Sequence, residues 1–452
     1  MKRFVSVMLA LAMLLSLVSA AALADEPRHL TIGLWWDLYY DSDDTSWEDN
    51  PAAKGKDSDL MRFDLVKEIE EKFNVTFEFV NLTYEGLQDS INNSILAGDP
   101  DCDLYMVELG FGVPAVMNGL ACDLRDVLDP DDPLLTHDDP ILNFVDLSNG
   151  AVSLLYAKGA ENQVDHVYNL AFNLQMIEDA NLEDPRDLVA RGEWTWDKFR
   201  EYCQVLTRDI DGDGVIDVYG YGGWLGDFLP YWFMSNGTYV AATATENFSS
   251  PEVGETLKFL QDLYITDKVA YPTPEENGWD VCRYLYRDKK VAFCTITTWI
   301  MDNYKDYTEA DPNLDFDMVF IPYPIGPSGN AETNSTQLAN SNYWLIPSNV
   351  EDPKLVYNVL RQYVNWFHDD TTLRDDPEEL EWHYVSTSNK FDLQEENFEV
   401  MLEYGSRTMV DFIQIFINDI PFRQFLDGEY TPAQLQEQYK QVVQDNLDQL
   451  FN

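Results

Sequence analysis

The apolar run L-T-I-G-L-W-W at residues 30–36 indicates the fold class of this chain, because it has the length and composition of a buried strand. The elements predicted after it are a helix with apolar positions Leu65, Val66, Ile69 and Phe73 behind a cap at Asp59, a strand at 75–80, a helix with apolar positions Leu87, Ile91 and Ile95 that stops at Gly98, and a strand at 103–107. This alternation predicts a parallel sheet covered by helices on both faces. Ligands of such sheets bind beyond the carboxyl ends of the strands.

A second series of strands and helices begins near His166. Its predicted elements are a strand at 167–172, helices at 196–206 and 253–264, strands at 291–296 and 316–321, and a helix at 352–367 that precedes a largely helical C-terminus. The sequence therefore predicts an α/β protein with two lobes of similar size.

The N-terminus has the features of a secretory signal. Lys2 and Arg3 precede an apolar run at 4–18, and A-L-A at 22–24 fits a cleavage site, so we expect residues 1–24 to be removed on export. No Cys stands at that site, which argues against a lipid anchor and favours a periplasmic or freely secreted protein. No later segment is long and apolar enough to predict a transmembrane helix.

The chain is strongly acidic, with 81 acidic and 29 basic residues and a formal net charge of −52. Such a charge repels phosphate backbones and anionic lipid, so it argues against nucleic acid and membrane surfaces as partners. The five cysteines form no C-x-x-C pair, and Cys203 fits a small core position. Cys102 with Cys122, or Cys282 with Cys294, could pair after export.

The segment D-I-D-G-D-G-V-I-D at residues 209–217 has the spacing of a calcium loop. Its expected ligands are four carboxylates and one backbone carbonyl, from Asp209, Asp211, Asp213, Asp217 and Val215. Position 12 of the loop, where a bidentate Glu is usual, is Gly220. We therefore expect a weak calcium site, or one completed by a carboxylate from elsewhere, and the alternative is a metal-free turn.

The aromatic residues suggest a carbohydrate ligand, because sugar rings stack on flat aromatic side chains and their hydroxyls bond to carboxylates and amides. The predicted contact residues lie at strand ends or loops: Trp36, Asp37, Glu108, Trp224, Asp227, Tyr231, Trp299 and Trp344. For Asp37 and Glu108 the alternative is a solvated carboxylate or helix cap, and for Asp227 and Tyr231 it is loop packing. We assign Trp194, Trp232 and Trp366 to the core, and Asn173 to the segment that crosses between lobes.

Motifs for catalysis are missing from the sequence. The histidines lack metal-ligand spacing, and neither a G-x-S-x-G elbow nor a phosphate loop occurs. The two carboxylates of a glycoside hydrolase need only meet in space, so a secreted glycosidase or other carbohydrate-active enzyme remains the alternative function.

Six segments in order resemble the extracellular solute-binding proteins of sugar ABC transporters, the family that includes the maltose-binding protein. They are A-F-N-L-Q-M-I-E-D-A-N-L-E-D-P (171–185), W-T-W-D-K-F (194–199), T-R-D-I-D-G-D-G-V-I-D-V-Y-G (207–220), K-K-V-A-F-C-T-I-T-T-W (289–299), I-P-Y-P-I-G-P-S-G (321–329) and D-G-E-Y-T-P-A-Q-L (427–435).

The resemblance implies the two-lobed periplasmic-binding-protein fold, type II-like, with a ligand cleft between lobes joined by crossing strands. Lobe 1 would comprise residues 25–167 and 338–372, and lobe 2 residues 168–337 and 373–452. Trp299 would stack on a sugar ring. The implied function is that of the extracytoplasmic, non-catalytic and monomeric binding component of an importer, which delivers an oligosaccharide, or alternatively a peptide, to a membrane permease.

Overall fold

The computed structural model describes the following residues: 26–35, 39–50, 53, 55–132, 135, 154–156, 168–272, 278–297, 314–332, 334, 337–338, 343–374, 396–397, 399–401, 403–404, 407–409 and 411–451. The predicted signal peptide and three of the predicted contact residues, Trp36, Asp37 and Trp299, lie outside this part of the chain.

The strands, in chain order, are β1 (Arg28–Leu34), β2 (Val75–Asn81), β3 (Leu104–Val107), β4 (Leu154–Tyr156), β5 (Tyr168–Asn173), β6 (Tyr219–Gly222), β7 (Val291–Thr297), β8 (Met318–Ile321), β9 (Gln337–Leu338), β10 (Tyr343–Leu345) and β11 (Thr408–Met409).

The α-helices are α1 (Asp57–Phe73), α2 (Tyr84–Ser90), α3 (Leu109–Met117), α4 (Leu174–Asp179), α5 (Pro185–Ala190), α6 (Trp196–Leu206), α7 (Leu225–Ser235), α8 (Pro251–Gln261), α9 (Gly278–Arg287), α10 (Pro353–Val364), α11 (Thr371–Arg374), α12 (Ile413–Phe416), α13 (Phe422–Leu426) and α14 (Pro432–Phe451). Single turns of π-helix, Ile91–Ile95 and Asp262–Thr266, extend α2 and α8. None of these described helices combines the length and apolarity that crossing a bilayer requires.

Two larger sheets form the framework. The first has the order β2-β1-β3-β10-β4, with β1, β2 and β3 parallel and β10 antiparallel to both of its neighbours. The second has the order β6-β7-β5-β8, with β5 antiparallel to β7 and β8. A short parallel pair joins β9 to β11. The predicted mixed α/β architecture is confirmed, whereas the exact lobe boundaries stay a prediction.

Both faces of the first sheet are covered. Along β3, Leu104 and Met106 pack with residues of α1 and α10, whereas Tyr105 and Val107 pack on the opposite face with α2 and α3. Side chains of successive strand residues point to opposite faces, so a strand buried on both faces reads as an unbroken apolar run. Each such side chain contributes about 1.5–3 kcal/mol when fully buried.

The start of α1 differs from the sequence prediction. Asp59 is the third residue of the helix, and the N-cap position belongs to Lys56. The carboxylate of Asp59 instead reaches back, and its Oδ2 accepts the backbone N–H of Lys56 over 3.0 Å. The predicted stop at Gly98 is confirmed, since its φ of +86° ends the helical backbone.

Candidate functional site

Three aromatic rings gather at the carboxyl edge of the first sheet. Trp35 follows β1, Tyr84 begins α2 after a two-residue connection from β2, and Phe111 lies in the first turn of α3, after β3. The Trp35 ring lies 5.9 Å from Tyr84 and 5.7 Å from Phe111, and the Tyr84 and Phe111 rings are 5.5 Å apart. All three contacts are edge-to-face. Tyr84 is 40% exposed, so this cluster presents an aromatic surface to solvent.

Glu108 adds a carboxylate to this cluster. It stands between β3 and α3, and its Oε2 accepts the phenol hydrogen of Tyr84 over 3.0 Å. Burial, together with the negative charge of Glu108, raises the pKa of Tyr84, so the phenol stays protonated and donates. Glu108 occupies the N-cap position of α3, but its side chain makes no capping hydrogen bond. Glu108 is therefore a half-buried hydrogen-bond acceptor at the carboxyl edge of the first sheet.

The strand directions of the second sheet bring another set of aromatic residues together. Because β5 runs antiparallel to β7 and β8, the start of β5 lies at the same edge as the ends of β6, β7 and β8. Tyr168, at the start of β5, stacks on Tyr231 with ring centroids 5.0 Å apart, and Tyr231 stacks on Tyr323 at 5.6 Å. Tyr168 is half-buried and covers the two deeper rings.

Trp224 is the exposed aromatic residue of this second edge. It follows β6, occupies the N-cap position of α7 and is 37% exposed. Its indole lies over Gly226, where an added Cβ would stand 2.9 Å from Trp224 Cζ3. The absence of a side chain at Gly226 therefore lets the indole lie flat against the helix start.

A buried chain of hydrogen bonds lies beneath the stacked tyrosines at this edge of the second sheet. Trp232 Nε1 donates to the hydroxyl of Tyr221 over 3.1 Å. The Thr295 hydroxyl lies 3.3 Å from that of Tyr221 and 2.6 Å from that of Tyr323. Paired buried polar groups fix side-chain positions, so the Tyr323 ring at the bottom of the stack has a defined position.

The predicted contact residues have different environments. Trp344 is the middle residue of β10 rather than a strand end, is 3% exposed and packs in the core of the first sheet. Tyr231 is fully buried and supports Tyr168 from below. Asp227 lies in the first turn of α7. The assignment of Trp194, Trp232 and Trp366 to the core is confirmed, since all three are buried.

Sequence reasoning missed Trp35, Tyr84, Phe111 and Tyr168. Trp35, Tyr84 and Phe111 lie near the carboxyl ends of predicted strands, so the carboxyl-edge argument applied to every aromatic residue there would have found them. Tyr168 lies at the start of its strand, and only the antiparallel pairing of β5 brings it to the same edge as the ends of β7 and β8. Asn173 caps α4 by accepting the N–H of Met176 over 3.2 Å, which agrees with a structural role near the crossing segment.

In the predicted calcium loop, the carboxylates of Asp209, Asp211 and Asp217 each offer an oxygen within 4.8 Å of the others. Asp213 stands outside this group, and its Oδ1 accepts the N–H of Val215 over 2.8 Å. Gly220 packs so closely on α6 that an added Cβ would stand 2.4 Å from Cys203 Cα. A Glu at position 12 of the loop would therefore clash with the helix backbone.

Cys102, Cys122 and Cys203 are free thiols. Cys102 and Cys122 are therefore not paired with each other, whereas the pairing of Cys282 with Cys294 stays a prediction because the side chain of Cys282 lies outside the described part of the chain. Burial raises the pKa of Cys102 to about 12, which keeps that thiol protonated and unreactive. Cys203 is fully buried, as predicted for a core residue.

Comparison with known proteins identifies the family of this chain. Residues 63–370 match the family described as bacterial extracellular solute-binding protein. A search of curated protein sequences found no match.

Solved structures with a similar fold include several sugar-binding proteins. An ABC substrate-binding protein from Listeria monocytogenes in complex with cycloalternan has a TM-score of 0.60 at 14% identity, over 93% of this chain and 99% of that one. The maltose/maltodextrin-binding domain of Bdellovibrio bacteriovorus bound to maltotriose has a TM-score of 0.55 at 17% identity, over 92% and 99%. The cyclic alpha-maltosyl-1,6-maltose binding protein of Arthrobacter globiformis has a TM-score of 0.58 at 15% identity, over 93% and 99%. At these identities the likeness shows the fold.

Proposed function

Because the chain belongs to the family of bacterial extracellular solute-binding proteins, we propose that it is the exported binding component of an ABC importer and captures an oligosaccharide. The observation that carries this proposal is the cluster of Trp35, Tyr84 and Phe111 with Glu108 at the carboxyl edge of the first sheet. Proteins of similar fold were solved with maltotriose and with cycloalternan. A membrane permease would receive the ligand.

The chemistry of the cluster supports a sugar. An exposed aromatic ring offers a flat apolar surface to the C–H face of a pyranose, while a carboxylate accepts hydrogen bonds from its hydroxyls. Tyr84 supplies the ring and Glu108 the acceptor, and their mutual hydrogen bond holds both in place. Trp224 and Tyr168 offer equivalent surfaces at the edge of the second sheet.

We further propose that the ligand lies between two lobes, built from residues 25–167 with 338–372 and from 168–337 with 373–452. The two sheets support this division, since the chain leaves the first sheet after Tyr156 and returns to it at Tyr343. A ligand that contacts both lobes binds a closed state better than an open one. Small-angle scattering should then show a smaller radius of gyration on saturation.

Membership of a solute-binding family favours capture without turnover. A glycoside hydrolase would instead release reducing sugar from the same ligands. The test is a thermal-shift screen against monosaccharides, oligosaccharides and peptides, because a ligand that binds only the native state raises stability by RT ln(1 + [L]/Kd). A stabilising oligosaccharide that is recovered intact supports the proposal. Stabilisation by peptides alone, or release of reducing sugar, contradicts it.

We also propose that the loop at 209–217 binds a structural calcium ion. Three carboxylates that converge within 4.8 Å suit a hard cation with oxygen ligands. The clash expected for any side chain at Gly220 means that a further ligand would come from water or from another segment.

A further inference from the structure

The backbone at Thr83 is strained. Its φ of 62° and ψ of 164° lie in a region that is essentially restricted to glycine, and a β-branched side chain makes that region still less favourable. Other residues with positive φ, such as Asn74 and Asp352, have ψ values of 53° and 65° and so adopt the left-handed helical conformation. Strained residues of this kind persist only when their surroundings fix them, and they cluster at functional sites.

Hydrogen bonds on both sides hold Thr83 in this conformation. Leu82 N donates to Leu34 O over 2.8 Å and so continues the pairing of β1 with β2 up to the strained residue. Thr83 N donates to Asn81 Oδ1 over 3.0 Å. Its own oxygens accept from the next turn, with Leu87 N to Thr83 O at 3.0 Å and Gly86 N to Thr83 Oγ1 at 3.2 Å.

Capping alone does not account for this conformation. Thr195 caps α6 with the same kind of bond, in which its Oγ1 accepts Lys198 N over 3.4 Å, yet its φ is −116° and its ψ is 167°. An N-cap threonine therefore does not need a positive φ. The β6–α7 connection also has two residues, and Trp224 there has a φ of −87° and a ψ of 135°, so a short connection alone does not impose a positive φ either. Thr83 adopts its positive φ within the two-residue connection from Asn81, the last residue of β2, to Tyr84, the first residue of α2.

That short connection decides where Tyr84 lies. It places the Tyr84 ring edge-to-face with Trp35 and Phe111, and its hydroxyl against Glu108. A different backbone conformation at Thr83 would change the direction in which α2 leaves β2 and would move the ring away from these partners. We propose that Thr83 is the positioning residue of the candidate site, because the hydrogen bonds that fix its strained backbone also hold Tyr84 in place as a rigid platform for a sugar ring.

The sugar ligand in this inference rests on the proposed function, but the position of the Tyr84 ring can be measured without a ligand, from the pKa of its phenol. Burial and, after it, Glu108 raise the pKa of Tyr84, so displacement of the ring lowers that pKa towards the ordinary tyrosine value. The titration can be followed by NMR on protein labelled with ¹³C-tyrosine, with Tyr84→Phe used to assign the signal. This measurement requires no ligand.

Three variants test the inference. Thr83→Gly tolerates the positive φ but makes the turn more flexible and removes Oγ1. Thr83→Ser keeps the hydroxyl, and Thr195→Gly is a control that removes an N-cap away from the aromatic cluster. We expect Thr83→Gly to lower the pKa of Tyr84 and to weaken binding of the most stabilising oligosaccharide of the screen by roughly three- to tenfold. Thr83→Ser should keep the pKa of Tyr84 and the affinity of the unmodified protein, and Thr195→Gly should change neither.

An unchanged Tyr84 titration in Thr83→Gly overturns the inference, as does an equal effect of Thr195→Gly. If Thr83→Gly fails to fold, Thr83→Ala carries the same test, because it removes Oγ1 and Cγ2 but keeps Cβ. If no sugar binds the unmodified protein, the proposed function fails, and the titration alone then decides whether Thr83 positions Tyr84.

Discussion

The phenol of Tyr84 donates a hydrogen bond to Glu108 Oε2 over 3.0 Å, and this bond ties the start of α2 to the connection between β3 and α3. Both residues follow parallel strands, so the bond lies at the edge where ligands of α/β sheets bind. The Glu108 carboxylate accepts the Tyr84 hydroxyl when no ligand is bound, and it can accept hydrogen bonds from sugar hydroxyls when a ligand is bound.

Removing the ring of Tyr84 should separate binding from folding. We expect Tyr84→Ala to weaken oligosaccharide binding by about 1–3 kcal/mol, the scale of an aromatic contact at the centre of an interface. Tyr84→Phe keeps the ring and loses one hydrogen bond, so the free energy of unfolding should fall by about 0.5–1.5 kcal/mol. Calorimetric titration and chemical denaturation measure the two effects. Equal affinity in Tyr84→Ala would remove this residue from the site.

Truncation to alanine should weaken ligand binding at Trp224 and should lower stability at Trp344. Trp224→Ala removes a ring that is 37% exposed, so we expect weaker sugar binding with little change in stability. Trp344→Ala empties a core position that is 3% exposed and should lower the free energy of unfolding by about 3–5 kcal/mol. The same two measurements apply. A Trp224→Ala variant that loses stability but binds normally would place this indole among the structural residues.

Much of the fold could be predicted from the sequence because its strands are short apolar runs between helices of clear periodicity. α6 was predicted at its observed bounds, 196–206. β1 was predicted at 30–36 and is observed at 28–34, because it begins with Arg28 and His29, which pair with β2 although they are not apolar. Backbone pairing sets strand ends, and hydropathy does not report it.

The site was less predictable. Glu108 was predicted because it directly follows an apolar strand, and its contact with a ligand stays a prediction, whereas Tyr84 follows a turn whose positive φ at Thr83 leaves no mark in the sequence. Trp344 was misplaced because β10 has only three residues, too few for alternation to reveal which face a side chain takes. Aromatic composition predicts a carbohydrate site, but tertiary packing decides which aromatic rings stay exposed.

Chelation should test the calcium proposal. If a cation bridges Asp209, Asp211 and Asp217, removing it leaves three carboxylates within 4.8 Å of one another, and the melting temperature should fall. Asp211→Asn should abolish this sensitivity, and Asp213→Asn should reduce it less, because Asp213 stands outside that group. Scanning calorimetry of calcium-loaded protein with and without chelator is the measurement. Identical melting curves would argue that the loop is a metal-free turn.

Asp411 should make stability depend on pH. This buried carboxylate accepts three backbone N–H groups, from Val240, Ala241 and Ile413, at 2.8, 2.9 and 3.0 Å. Desolvation outweighs those bonds and raises its pKa from 3.8 to about 6. The folded state therefore binds the proton more tightly than the unfolded state does. Stability from this group is present at pH below about 4 and is lost as the pH rises to about 6, by about 2–3 kcal/mol at most.

Other carboxylates also titrate in this range, so the diagnostic quantity is the difference between the unmodified protein and Asp411→Asn. We expect the free energy of unfolding of the unmodified protein, relative to the variant, to fall between pH 4 and pH 6 and to stay constant above pH 7. Asp197→Asn, at an exposed position in the first turn of α6, controls for the loss of one charge. Chemical denaturation at each pH gives the values. A difference that does not change with pH would mean that Asp411 keeps an ordinary pKa, because its three hydrogen bonds then offset the desolvation.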